Sequence, residues 1–221
     1  TQDHKAVFDG DKGPNTGGMG AYCDSRILSE NQTREILARV IEPAIEHMAA
    51  EHNPFTGFLY AGLMMTFEGP KVLEFNARLG DPETQALMYR VGTGLADVLA
   101  AAARGDLSGA RLEWRPEPAV CVVMAAHGYP GQVRTGDVIQ GIAEAEVTGA
   151  TVFQAGTKRG PRGLETAGGR VLGVTGSGPD LPAAIRNTYA AVEKIDFDGM
   201  HYRSDIGSKG RKRYNEEYAG T

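Results

Sequence analysis

Apolar and polar positions recur with two different periods along this chain, and the changes of period mark its elements. From Ser29 to about residue 51, Ile36, Leu37, Val40, Ile41, Ala44, Ile45 and Met48 fall at helical spacing, with Ser29 placed as the N-cap. Pro43 lies inside that stripe; it lacks a backbone N–H and crowds the preceding turn, so the helix should kink or divide there. Residues 57–67 are almost continuously apolar, the pattern of a central strand covered on both faces. Glu68-Gly69-Pro70 then turns the chain into a second strand from Lys71, making a hairpin. Asp81 is placed to cap a short helix with Pro82 at its first position, and an alanine- and leucine-rich stretch predicts a helix over 94–104. Residues 9–20, dense in glycine, read as a loop.

Residues 105–118 form the best boundary, with Trp114-Arg115-Pro116-Glu117-Pro118 as a stiff linker. Beyond it, residues 119–126, 151–155 and 170–175 read as strands between glycine-rich turns, followed by a helix over about 181–195. This half predicts a small α+β unit on an antiparallel sheet. No internal repeat is apparent.

The second strand of the hairpin carries the strongest chemical signal. Glu74, Asn76 and Arg78 recur at period two, so an extended chain presents them on one face, with Leu73, Phe75 and Ala77 behind. Two oxygen donors about 7 Å apart along a strand can converge on one hard cation, and an arginine beside them suits phosphate. A solvent face alternates in the same way. The cluster of Arg78, Asp81 and Glu83 where the strand ends raises the reading of a magnesium–phosphate site.

Length and composition narrow the classes. At 221 residues the chain can bury a real core in one or two domains. A net charge of −5 gives no reason to expect nucleic acid as partner. Lys209, Arg211, Lys212 and Arg213, beside Glu216 and Glu217, read as a solvated tail, with a polyanion contact as the alternative. Cys23 and Cys121, far apart and without metal-type spacing, fit free thiols in a reducing cytoplasm. No stretch approaches the roughly 18 apolar residues needed to span a membrane, and the polar start has no signal-peptide pattern. The chain begins at Thr1 without a methionine and reads as part of a longer one.

The remaining motifs are weaker. The loop over 13–20 could cradle an anion on backbone N–H groups, or be a plain flexible turn; it lacks the lysine and serine or threonine ending of a P-loop. His47 and His52, five apart and so about 140° apart on a helix, share no face, while His4, His127 and His201 are isolated. No Gly-x-Ser-x-Gly elbow supports a nucleophilic serine. Arg203 and Asp205, in Tyr202-Arg203-Ser204-Asp205-Ile206-Gly207, could touch an anionic substrate or a neighbouring domain, or form an internal salt bridge.

QDHK over 2–5, GPNTGGMGAY over 13–22, GFLYAGLM over 57–64 and EFNARLGDPETQ over 74–85 resemble the phosphoribosylamine–glycine ligases, also called glycinamide ribonucleotide synthetases. VVMAAHGYP, RTGDV, AGTK, GGRV and YRSDIG follow in the family's order, so the resemblance covers essentially the whole chain. It implies an α+β chain: the C-terminal half of an ATP-grasp fold over 1–112, a linker at 113–118, and a C-terminal α+β domain over 119–221.

The resemblance further implies ATP-dependent joining of glycine to 5-phosphoribosylamine through a glycyl phosphate, in purine biosynthesis, with ATP and magnesium or manganese as cofactors. By it, Glu74 and Asn76 match the metal pair, Leu73 an apolar contact to the adenine, and Arg78 a group near the transferred phosphoryl. Asp81 and Glu83 would lie near glycine or the amine, and the loop with Asn15, Gly17 and Gly18 would close over substrate, excluding water. Two departures stand out. Tyr60, Ala61 and Gly62 supply no further carboxylate on the preceding strand. The family's N-terminal domain and the first half of its ATP-grasp unit are absent from this sequence, so the fragment alone should not turn over. The rivals are another ATP-grasp ligase, such as a biotin-dependent carboxylase component, and a non-catalytic binding module.

Overall fold

The computed structural model describes residues 1–211. Lys212, Arg213, Glu216 and Glu217 of the expected solvated tail lie outside the described residues, whereas Lys209 pairs with Asp11 at 2.5 Å. In chain order the elements begin β1 (Gln2–Asp3), β2 (Ala6–Phe8), β3 (Lys12–Asn15), β4 (Gly20–Cys23), α1 (Glu30–Ile36) and α2 (Glu42–Ala50). The order continues β5 (Tyr60–Thr66), β6 (Gly69–Asn76), α3 (Glu83–Arg90), α4 (Leu95–Ala103) and β7 (Ala119–Ala125). It ends α5 (Ile142–Val147), β8 (Thr151–Gln154), β9 (Thr157–Gly160), β10 (Gly163–Thr166), β11 (Arg170–Ser177) and α6 (Leu181–Val192).

The chain is shared between two compact units. Residues 1–27, 81–90 and those from 115 onward form the larger; residues 28–80 and 91–114 form the smaller. The passage between Trp114 and Arg115 falls inside the linker read from sequence. The other passages fall where the sequence reading marked no boundary, and residues 1–27 and 81–90 group with the C-terminal segment instead of with the rest of 1–112.

The frame of the larger unit is an antiparallel sheet in the order β1-β4-β7-β11-β8. Every residue of β7 is buried, because its alternation serves two layers. Val120, Val122 and Met124 join a core with Val174, Leu181 and Val192, while Ala119 and Cys121 pack with Ala86, Leu87 and Tyr89. Each fully buried valine or leucine contributes roughly 1.5–3 kcal/mol relative to exposure, so stability concentrates where α6 covers β7 and β11. Asp180 caps α6 by accepting from the Ala183 N–H at 2.7 Å. Cys23 and Cys121 are free and buried, and burial pushes the Cys121 thiol up to about 12.

The segment over 9–20, read as a loop, is more ordered than that. β2 and β3 pair antiparallel around a turn with Gly10 at φ 68° and Asp11 at φ 56°, and β4 enters the sheet. Glycine and proline within β3 and at the start of β4 hide these strands from pattern reading. The β9–β10 hairpin and α5 also lie outside the expected elements.

Arg203 anchors the turn between β2 and β3 as an internal ion-pair network. Its side chain is 0% exposed, its Nε and second guanidinium nitrogen donate to Asp205 at 2.7 and 2.8 Å, and its first nitrogen donates to the Ala6 carbonyl and Asp11. Asp205 also accepts from the Gly10 N–H, and the Ser204 N–H and hydroxyl both donate to Asp9. Burial alone would raise the Asp205 carboxyl, but Arg203 and the Gly10 N–H outweigh it and hold it at about 2.

His4 lies beside this network, buried, with both ring nitrogens lacking a hydrogen-bond partner among the described residues. Burial, and then the positive charges of Arg203 and Lys209, lower it to about 4 against an ordinary 6.5, partly offset by Asp205 and Asp11. The unfolded chain therefore binds this proton first as pH falls, and stability is lost from about pH 6.5 down towards 4. Between pH 7 and pH 5 the loss is expected to be roughly 2 kcal/mol. Asp3, raised chiefly by burial, acts in the opposite sense nearer its own range. Urea unfolding followed by far-UV circular dichroism at pH 7, 6 and 5 checks this; a His4→Gln variant should flatten the dependence, and an unchanged slope would assign it to another group.

In the smaller unit Ser29 starts α1 with a capping box: its Oγ accepts from the Gln32 N–H, and Gln32 accepts from the Ser29 N–H. The long helix divides as Pro43 requires. A π-type turn over Leu37–Ile41 lets the Glu42 N–H reach the Leu37 carbonyl, and Pro43 falls in the first turn of α2, where its missing N–H costs nothing.

The apolar run at 57–67 departs from expectation. β5 pairs with β6 alone, in a two-stranded sheet, and its central coverage is absent among the described residues. Met64 and Met65 are exposed and Phe67 is 99% exposed. Continuous apolar sequence signals two covering layers only where those layers are present. Both conditions are met in β7 and not in β5.

Candidate functional site

On β6 the pairs Tyr60↔Asn76, Ala61↔Phe75 and Gly62↔Glu74 are regular, but Leu63 faces Val72, leaving Leu73 in a bulge. A bulge bends its strand and re-aims side chains. Glu74 and Asn76 keep a common face, as the period-two reading expects. Gly62 opposite Glu74 is bare where a Cβ would stand 3.0 Å from the Glu74 Cγ, so this glycine makes the room the glutamate occupies. Arg78 does not extend that face. The strand ends at Asn76, and the Arg78 guanidinium donates to the Leu79 carbonyl at 3.0 Å. Leu73 and Phe75, expected to pack behind the polar face, are 64% and 45% exposed.

Among the described residues no group of three or more histidine, cysteine, aspartate or glutamate side chains could hold a metal. Glu74 and Asn76 offer one carboxylate and one amide oxygen. That donor set suits a hard cation completing its shell with phosphate oxygens and water.

The other sequence-derived residues come together in the larger unit. Asn15 ends β3, exposed. The Gly17 N–H donates to the Tyr129 hydroxyl at 3.1 Å, and the Gly18 N–H to the Thr16 hydroxyl at 2.9 Å. Gly18 has φ 119°, and a Cβ there would meet Pro82 at 2.6 Å and Asp3 Oδ1 at 2.9 Å, so only glycine lets the loop lie on the Asp81–Pro82 segment. Lys5 pairs with Asp3 at 2.7 Å. Glu83, the first residue of α3, is buried and contributes to raising the Asp3 carboxyl, behind the larger effect of burial.

Asp81, placed from sequence as the cap of α3, also reaches beyond that helix. Its carboxylate accepts from Arg170 at 2.8 Å and from the Gln85 amide at 3.3 Å. Arg170 and Tyr129 are the residues sequence reasoning missed here. Both lie in segments already noted, GGRV and VVMAAHGYP, but nothing in their spacing ties either to a loop more than 100 residues away.

Comparison with known proteins sets these parts in one family. The model for the phosphoribosylglycinamide synthetase ATP-grasp (A) domain matches residues 1–84, and that for the phosphoribosylglycinamide synthetase C domain matches residues 119–209. A phosphoribosylamine–glycine ligase from Ralstonia nicotianae is 49% identical over 96% of this chain and 50% of its own length. The crystal structure of phosphoribosylamine–glycine ligase from Thermotoga maritima superposes with a TM-score of 0.81 at 34% identity, covering 93% of this chain and 50% of that one. The biotin carboxylase domain of 2-oxoglutarate carboxylase from Hydrogenobacter thermophilus covers 84% of this chain and 40% of its own, with a TM-score of 0.57 at 14% identity, which shows a shared fold alone. The chain belongs to the phosphoribosylglycinamide synthetase family and carries segments of its ATP-grasp and C domains. It spans about half the length of the curated relatives it matches. No helix among the described residues is long and apolar enough to cross a membrane.

Proposed function

We propose that this chain supplies the metal-bearing wall and the substrate loop of a phosphoribosylamine–glycine ligase acting in the cytosol. The observation that carries the reading is the Glu74–Asn76 pair, held on one face of β6 opposite bare Gly62, in a chain of this family. In the proposed reaction a glycine carboxylate oxygen attacks the γ-phosphorus of ATP and ADP leaves. The nitrogen of 5-phosphoribosylamine then attacks the acyl carbon, loses a proton and expels phosphate, giving glycinamide ribonucleotide. Magnesium or manganese, held by Glu74 and Asn76, would supply neutralisation of phosphate charge.

The chain's own residues divide the remaining work. Leu73, lifted into a bulge and exposed, offers an apolar surface for the adenine. Arg78, just past the strand, has guanidinium donors left for the transferred phosphoryl. The loop with Asn15, Gly17 and Gly18, lying on the Asp81–Pro82 segment, excludes water from an acyl phosphate. In this reading residues 1–112 belong to the ATP-grasp part, 113–118 link, and 119–221 form the C-terminal domain. The exposed apolar side chains of β5 and β6 support a further partner, the other half of the family's length.

ADP release tests the proposal. A full-length enzyme carrying this sequence should release ADP only with both glycine and phosphoribosylamine present, and the 221-residue chain should release none. Release by the full-length protein without phosphoribosylamine would sink the substrate assignment, and turnover by the 221-residue chain would sink the shared-site reading.

A further inference from the structure

We infer that Arg170 is a positioning residue for the substrate loop: its guanidinium clamps Gly17 to Asp81, so two segments remote in sequence present one fixed surface. One guanidinium nitrogen donates to the Gly17 carbonyl at 3.0 Å and to the Asp81 carbonyl at 2.9 Å, and the other to the Asp81 carboxylate at 2.8 Å. The planar group lies over Gly17 so closely that a Cβ there would stand 3.0 Å from the arginine's Cζ. Glycine at this position is therefore part of the clamp.

The surroundings aim the arginine. Its register with β7 shifts between Arg170 and Leu172, a bulge at the start of β11. Tyr129 holds the same glycine from its N–H, and Gly169 next to Arg170 is bare where a Cβ would meet the Tyr129 ring at 2.4 Å. A lysine could reach one acceptor but could not fork across three, since only the guanidinium offers several donors in one plane. Asp81 is thereby engaged by Arg170 and Gln85, and its role becomes that of the fixed post to which the loop is tied.

Resting on the ligase reading above, this role is tested in a full-length enzyme carrying this sequence, by two independent readouts. Arg170→Ala is expected to raise KM for glycine or phosphoribosylamine at least tenfold while KM for ATP stays within twofold. Hydrogen–deuterium exchange at Gly17 and Gly18 should quicken at least tenfold, with the melting temperature little changed. Arg170→Lys should recover part of both effects, and Gly17→Ala should reproduce them from the other side of the clamp. Should Arg170→Ala not fold, those two variants carry the test alone. Faster exchange with unchanged KM for glycine and phosphoribosylamine would reduce Arg170 to a structural tie and overturn the inference, as would unchanged exchange. A wild-type enzyme that fails to join glycine to phosphoribosylamine would instead defeat the ligase reading, leaving the exchange readout to decide whether Arg170 holds the loop.

Discussion

Replacing Glu74 and Asn76 together by alanine in a full-length enzyme is expected to slow turnover at least a hundredfold while leaving the melting temperature unchanged. Each single substitution should cost at least tenfold, about 1.4 kcal/mol or more in the barrier. The asymmetry between activity and stability follows from where the two residues stand. β6 pairs with β5 alone, and Glu74 is exposed, so its removal uncovers no core and leaves no buried partner unsatisfied. What it removes is the only carboxylate on that strand face, and with it the charge that would hold a hard cation against phosphate. Gly62→Ala is the companion variant, since its methyl would press on the Glu74 Cγ without deleting a ligand. Full activity in the double variant, measured as ADP release at saturating ATP, would remove the metal role and favour a non-catalytic module.

Arg203→Ala should be the most destabilising single change in the larger unit, costing about 3–5 kcal/mol. The substitution deletes a fully buried guanidinium and leaves Asp205, Asp11 and the Ala6 carbonyl without the donors they face. Lys209 would still reach Asp11, but Asp205 would keep only the Gly10 N–H among these partners. Arg203→Lys keeps the charge and loses the fork, so it should recover only part of the loss. The midpoint of urea unfolding reads this directly; a loss under about 1 kcal/mol, the range of a surface pair, would show that the turn between β2 and β3 holds without its anchor. The carboxyl of Asp205, held at about 2 in the fold, would also return towards the ordinary range in the variant.

The elements that sequence reading located well are those whose periodicity is enforced locally. The capped helix from Ser29, its division at Pro43, and the strands β7, β8 and β11 all follow from spacing, caps and turn residues. The common strand face of Glu74 and Asn76 was legible for the same reason, because a strand's alternation is a local property. What spacing alone could not reveal is pairing between distant segments. The alliance of β4 with β7 joins residues about 100 positions apart, and that of Gly17 with Arg170 joins residues 153 apart. Arg78 failed as a third member of the strand face because the strand stops two residues earlier, and strand ends are poorly marked by alternation. The pairing of Asp81 with Arg170, 89 residues on, was invisible because it too joins distant segments.

The order of the large sheet has a consequence for anyone who divides this protein. β4 lies between β1 and β7, yet β1 and β4 precede the 113–118 segment and β7 follows it. Cutting at that segment, where composition invites the scissors, would part β4 from β7 and bare two raw backbone borders at once. Neither product would be a self-sufficient body; each would carry an open seam shaped for the other. The family's A and C stretches are thus names for runs of sequence, while the piece that coheres is stitched from both ends of the chain.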